Sequence, residues 1–203
     1  MKLWGVFTRF GLRFFCNIKF EARGLENLPK NRPVIVACKH QSAFETTALF
    51  YSLLPYPVYA LKADLDKIPL WRALSQKAGA LSIERSKGSV ALKVMVAQAQ
   101  KFINQGRSII IFPEGTRTPA QTEGRYLPGV YALTQSFNDV PLIPAAINSG
   151  IFWPSKKPIQ QSGTIILEFL PALTPDLPRK AFMEQLKSDI ETTTRKLEQE
   201  ALS

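Results

Sequence analysis

Histidine occurs once in the 203 residues, at His40, and cysteine only twice, at Cys16 and Cys38. So few soft ligands make neither a disulfide framework nor a zinc site. Cys38 ends an apolar run, which reads as a small buried residue in a reduced, cytoplasmic protein. An acyl-carrying thiol is the minor reading of the same residue. No apolar run approaches the roughly 18 residues of a membrane-spanning helix. The apolar N-terminus is interrupted by Arg9 and Arg13 and no small-residue cleavage site follows, so it does not read as a signal peptide. Repeats, low-complexity tracts and Gly/Ser linkers are also missing, which leaves one domain around a single core. Acidic residues are scarce too: 16 against 26 basic ones give a formal net charge of +10. Such a surface favours an anionic partner, whether lipid, phosphorylated substrate or nucleic acid.

What is present alternates between strand and helix patterns. Pro33–Cys38 and Ser108–Phe112 are short continuous apolar runs, as expected of strands buried on both faces. Ile18–Arg23, Val58–Leu61, Ala80–Ile83, Leu142–Ile147 and Thr164–Leu170 read as further strands. Helical spacing predicts helices from Ser42, over Ile68–Lys77, Val90–Ile103 and Gly129–Phe137, and over residues 179–201. The pattern predicts an α/β fold, a mixed, largely parallel sheet flanked by helices. Residues 1–18 place Leu3, Phe7, Phe10, Phe14 and Ile18 together, with Lys2, Arg9 and Arg13 on another side. That is an amphipathic helix, either lying in a membrane surface or docked on the core. The division is an amphipathic helix over 1–18, membrane-associating on the first of these readings, and one domain over 19–203. Ile151-Phe152-Trp153-Pro154 before Lys156-Lys157 is a second interfacial candidate, unless its aromatics pack inward.

Ligands of such a sheet collect at the C-terminal ends of its strands. Two segments leave strands there. In Lys39-His40-Gln41-Ser42-Ala43-Phe44-Glu45, the only side chain that ordinarily exchanges a proton near neutrality precedes a carboxylate by five residues. His40 reads as a general base, with Glu45 fixing its tautomer. Ser42 to Glu45 is equally a capping box, in which the carboxylate serves the helix N-terminus. The second segment is Phe112-Pro113-Glu114-Gly115-Thr116-Arg117. Gly115 lets backbone approach a ligand, and the Arg117 guanidinium suits a phosphate. Glu114 would bind a substrate hydroxyl or hold Arg117 in place. Lys62 and Arg85 also follow strand runs and would enlarge a cationic pocket. No obvious covalent nucleophile accompanies His40, so the hydroxyl it activates belongs to a substrate.

Together these segments resemble the glycerophospholipid acyltransferases, especially the bacterial 1-acylglycerol-3-phosphate acyltransferases. The H-x4-D block is His40 to Glu45. The second block is Gly79 to Ser86, the F-P-E-G-T-R block is Phe112 to Arg117, and the V-P-x-x-P block is Val140 to Pro144. Lys62-Ala63-Asp64-Leu65 with Ile68-Pro69, and Tyr126-Leu127-Pro128-Gly129, resemble two further stretches of that family. One position departs: the family acid is usually aspartate, and Glu45 keeps the charge on an arm one methylene longer.

The resemblance implies the glycerolipid acyltransferase fold and acyl transfer from coenzyme A or acyl carrier protein to a lysophospholipid. The first acceptor to consider is 1-acylglycerol-3-phosphate; a lyso-ornithine lipid or another lysophospholipid is the runner-up. It implies catalytic His40 and Glu45, with glycerol phosphate held by Arg85, Glu114, Gly115, Arg117 and Lys62, and no metal or resident cofactor. Anionic membrane lipids are the implied partner, at the cytoplasmic face of the inner membrane, bound peripherally or monotopically. A non-catalytic lipid-binding protein would have lost the histidine or its acid. A nucleic-acid binder is suggested by charge alone, with no recognisable motif.

Overall fold

In a computed structural model, residues 10–53, 56–63, 73, 79–84, 88–155, 157–158 and 161–203 are described. Seven strands form one sheet in the order β1-β7-β6-β2-β5-β3-β4. They are β1 (Ile18–Arg23), β2 (Ile35–Cys38), β3 (Val58–Lys62), β4 (Ala80–Ile83), β5 (Ile109–Ile111), β6 (Leu142–Ile147) and β7 (Gly163–Phe169). Every neighbouring pair is parallel except β6 with β7. The expected mixed, largely parallel sheet is what the chain forms. Pro144 sits inside β6, where a missing N–H would normally be costly. Antiparallel pairing with β7 begins one residue later, at Ala145.

The helices are α1 (Phe44–Ser52), α2 (Gly88–Ile103), α3 (Gly129–Ser136), the single turn α4 (Ser149–Phe152) and α5 (Arg179–Leu202). Strand alternation divides the core into two layers. Val36 and Cys38 of β2 face one layer with Phe44, Ala48 and Leu49 of α1. Ile35 and Ala37 face the other, with Met95 and Ala99 of α2, Leu133 of α3 and Phe182, Leu186 and Ile190 of α5. Each Val, Ile, Leu, Met or Phe among them contributes about 1.5–3 kcal/mol by leaving water. This two-sided burial is why the central strands read as unbroken apolar runs.

Two expectations change. Phe152 is buried, at 1 % exposure. Its ring lies over Gly163, where an added Cβ would come within 2.3 Å of a ring carbon, so the segment before Lys156-Lys157 turns that aromatic inward. At the N-terminus, residues 10–15 are helical and Asn17 has a positive φ of 50°. Ile18 then opens β1 and does not extend the helix. Leu12 is the residue that reaches the core, while Phe10, Phe14 and Phe15 remain exposed. The rest of the predicted N-terminal helix, and the helix expected over Ile68–Lys77 apart from helical Ala73, lie outside the described residues.

Candidate active site

Strands β2, β5 and β6 run parallel, so the segments after Cys38, Ile111 and Ile147 emerge at one edge of the sheet. Lys39 continues the ladder, its N–H donating to the Ala145 carbonyl at 3.0 Å. The alternation of β2 then carries on past the strand: residues 39 and 41 turn toward the α5 layer and His40 toward α1. The imidazole stacks on Phe112, with centroids 3.9 Å apart and planes 15° apart. Its Nδ1 lies 3.0 Å from Oε2 of Glu45. An ionised carboxylate only accepts, so the proton belongs on Nδ1 and Nε2 is left as the basic nitrogen. The His40 side chain keeps 13 % exposure, while Glu45 is fully buried.

Glu45 also serves the helix N-terminus. The Ser42 N–H donates to both of its oxygens, at 2.9 and 3.0 Å, and the Gln41 N–H to Oε1 at 3.3 Å. Ser42 Oγ in turn accepts from the Phe44 N–H at 2.9 Å. The helix begins at Phe44 with Ala43 at its N-cap position, rather than at Ser42 as expected. The reciprocal pattern of a capping box survives that shift. A further donor comes from α4, far along the chain: Ser149 Oγ donates to Oε1 of Glu45. The two readings of Glu45 are therefore compatible, since Oε2 meets the imidazole while backbone and Ser149 hold Oε1.

The Phe112–Arg117 loop is tied to the same place. Glu114 Oε2 accepts the His40 N–H at 2.9 Å, and the His40 carbonyl accepts the Thr118 N–H at 2.8 Å. Oε1 of Glu114 accepts from Lys39 Nζ at 2.8 Å. Glu114 thus faces Lys39 and the His40 backbone, not Arg117. Gly115 turns at φ +68°, its N–H donating to the Phe112 carbonyl at 2.9 Å. That conformation is costly for residues with a Cβ. Arg117 is exposed beyond it. Arg85 lies outside the described residues, as does the Lys62 side chain; the Lys62 backbone ends β3, paired in parallel with Ile83 of β4.

Lys39 is wholly buried, and its ammonium donates to Glu114, to Glu191 at 2.8 Å and to the Thr122 carbonyl at 3.1 Å. Burial raises the Glu191 carboxyl, against the pull of Lys39. Burial, with the Glu191 charge second, raises Tyr126, whose hydroxyl donates to Glu191 at 3.1 Å. The Cys38 thiol is pushed well up by burial, with Glu45 and Glu114 adding to it. Neutral and inaccessible, it packs rather than carries an acyl group. Among the described residues no cluster of His, Cys, Asp and Glu could hold a metal.

Lys39, Gln41, Ser149, Glu191 and Glu198 were not among the sequence candidates. Their only local signal was Glu191 and Glu198 falling on the buried stripe of an otherwise polar helix, beside Ile190 and Leu197.

A family model described as Acyltransferase matches residues 19–148. The 1-acyl-sn-glycerol-3-phosphate acyltransferase of Pseudomonas aeruginosa is 33% identical over 170 residues, covering 84% of this chain and 65% of that protein. The human 1-acyl-sn-glycerol-3-phosphate acyltransferase beta is 28% identical over 178 residues, covering 85% and 62%. The chain thus spans a little under two thirds of these relatives' length. The crystal structure of the 1-acyl-sn-glycerophosphate (LPA) acyltransferase PlsC from Thermotoga maritima superposes with a TM-score of 0.71 at 21% identity. It covers 93% of this chain and 77% of that one, and shows the shared fold.

Proposed function

The chain belongs to the acyltransferase family, and from that premise we propose that it moves a fatty acyl group from an acyl thioester to the free hydroxyl of a lysophospholipid. The acceptor we favour is 1-acylglycerol-3-phosphate, which gives phosphatidate, and the donor is acyl-coenzyme A or acyl carrier protein. The relatives' names support this acceptor. The observation that carries the reading is the His40 Nδ1 to Glu45 Oε2 contact at the end of the central strand.

In this mechanism Nε2 of His40 takes the acceptor's hydroxyl proton, and Glu45 stabilises the imidazolium that forms. The alkoxide oxygen attacks the thioester carbonyl. The new C–O bond forms, the C–S bond breaks, and the leaving thiolate takes the proton back from His40. Gly115 and Arg117, joined by Arg85 and Lys62, bind the phosphate and glycerol, while Glu114 holds their loop to Lys39. The reaction calls for no metal or resident cofactor. Residues 1–18 hold the domain of 19–203 on anionic lipid at the cytoplasmic face of the inner membrane. The exposed Phe10, Phe14 and Phe15 and the net charge support that placement. No described helix is long and apolar enough to cross a membrane.

Purified protein offered a series of lysolipids with acyl-coenzyme A or acyl carrier protein, read by mass spectrometry, tests the acceptor and the donor. His40→Ala should lower kcat by about 10²–10⁴-fold with an unchanged circular dichroism spectrum. Near-normal turnover in that variant would remove His40 as the base.

A further inference from the structure

The family match ends at Asn148, yet the last helix reaches back to both neighbours of His40. On one side, Lys39 Nζ lies 2.8 and 3.0 Å from the two oxygens of Glu191. On the other, Gln41 Nε2 donates to Oε1 of Glu198 at 2.7 Å. Gln41 Oε1 in turn accepts the Gly150 N–H at 2.9 Å. All four of these side chains are buried. Glu191 and Glu198 stand seven positions apart in α5, two helical turns, which puts them on one stripe. Lys39 and Gln41 both reach α5, while His40 between them turns to Phe112 and Glu45. The helix therefore grips the residue before the imidazole and the residue after it.

The Lys39–Glu191 pair and Glu198 also hold residues 121 and 122, in the loop that follows Arg117. The ammonium that meets Glu191 also donates to the Thr122 carbonyl at 3.1 Å, and Glu198 accepts the Gln121 N–H at 3.0 Å. Packing alone does not require this. Phe182, Leu186, Ile190 and Leu197 of α5 already bury an apolar stripe, and a buried ion pair is often matched in stability by apolar residues of similar size. What the carboxylates add is direction, because each accepts from a defined donor at a defined end of the His40 segment.

We infer that Glu191 and Glu198 are positioning residues for His40: through Lys39 and Gln41 they set the imidazole against Phe112 and Glu45. The inference rests on His40 being the base of the proposed reaction, but its geometric content can be read without turnover. His40 is the only histidine, so the ring Cε1–H signal is assignable without ambiguity. The Phe112 ring, stacked at 3.9 Å, gives that signal a ring-current shift that depends on how the imidazole is held.

The test compares Glu191→Met and Glu198→Met, which keep length and lose the acceptor, with Glu191→Gln and Glu198→Gln, which keep an acceptor oxygen. The Met variants should move the His40 ring signal. They should lower kcat on the order of tenfold to a hundredfold with little change in KM for the lysolipid, and the Gln variants should restore both readouts. Glu191→Met strands a buried ammonium and risks misfolding. Glu198→Met strands two uncharged donors, the Gln41 amide and the Gln121 N–H, and its result decides by itself. A folded Glu198→Met protein with the ring signal and kcat of the parent would overturn the inference. If the parent transfers no acyl group at all, the reaction is wrong, and the ring signal still reports whether α5 holds the imidazole. If the parent is active and the signal stays put, the reaction stands and the positioning fails.

Discussion

Glu45 shows how one carboxylate meets several demands at the scale of a single residue. Its Oε2 faces the imidazole, and its Oε1 receives the Ser149 hydroxyl along with backbone N–H groups of Gln41 and Ser42. The backbone donors come from within four residues and follow from the capping-box spacing. Ser149 lies 104 residues further along the chain, beyond the reach of any local pattern. Removing its hydroxyl takes one hydrogen bond from a carboxylate oxygen that keeps its backbone donors, and a bond to a charged group is worth about 1.5–3 kcal/mol. Ser149→Ala should therefore lower kcat about tenfold to a hundredfold, 1.36 kcal/mol being tenfold, with KM for the acceptor unchanged. Glu45→Gln should do more damage, because an amide that keeps its oxygen on the backbone donors presents an NH₂ to Nδ1. Steady-state kinetics of the two variants check the order. A Glu45→Gln enzyme at parental kcat would reduce Glu45 to a helix cap.

At the scale of elements, α5 differs from its sequence impression. Its composition is polar, but Phe182, Leu186, Ile190, Thr194 and Leu197 form a buried stripe. Into that stripe the chain sets Glu191, whose carboxyl faces Lys39 from the end of β2, Glu114 from the β5 loop and Tyr126 before α3. Burial raises this carboxyl above its ordinary value of 4.5. The folded chain then binds the proton more tightly than the unfolded chain. Stability from this group is greatest at and below the ordinary value and is lost as pH rises through the raised one. Glu191→Gln keeps an acceptor for Lys39 and cannot ionise, so urea unfolding should show a flatter fall in stability with rising pH than the parent shows. Parallel curves for the two proteins would contradict the assignment. The central strands and α2, α3 and α5 were legible because two-sided burial and helical periodicity are local patterns. The single turn α4 is too short for periodicity to show, and the inward turn of Phe152 depends on Gly163 in the next strand.

At the scale of the whole molecule, the sheet edge carrying His40 belongs to a protein with a net charge of +10 and an uncovered aromatic patch. Phe10, Phe14 and Phe15 are 62%, 71% and 80% exposed, and Phe10 and Phe14 stack with centroids 5.7 Å apart. Leu12 pins this helical segment to the core near Ile18. The amphipathic spacing was readable in the sequence; which residues would dock and which would remain in water was not, because that depends on where β1 starts. Three phenylalanines entering a lipid interface supply about 1.5–3 kcal/mol each if fully buried. Basic residues beside an anionic leaflet add about 1 kcal/mol apiece. Salt screens the second contribution and leaves the first. Flotation with phosphatidylserine-containing vesicles separates them. Substituting Phe10, Phe14 and Phe15 together by serine should abolish binding at high salt and weaken it at low salt. Raising salt alone on the parent should weaken binding without abolishing it. Equal flotation of parent and triple variant under both conditions would mean that the patch is not the lipid contact.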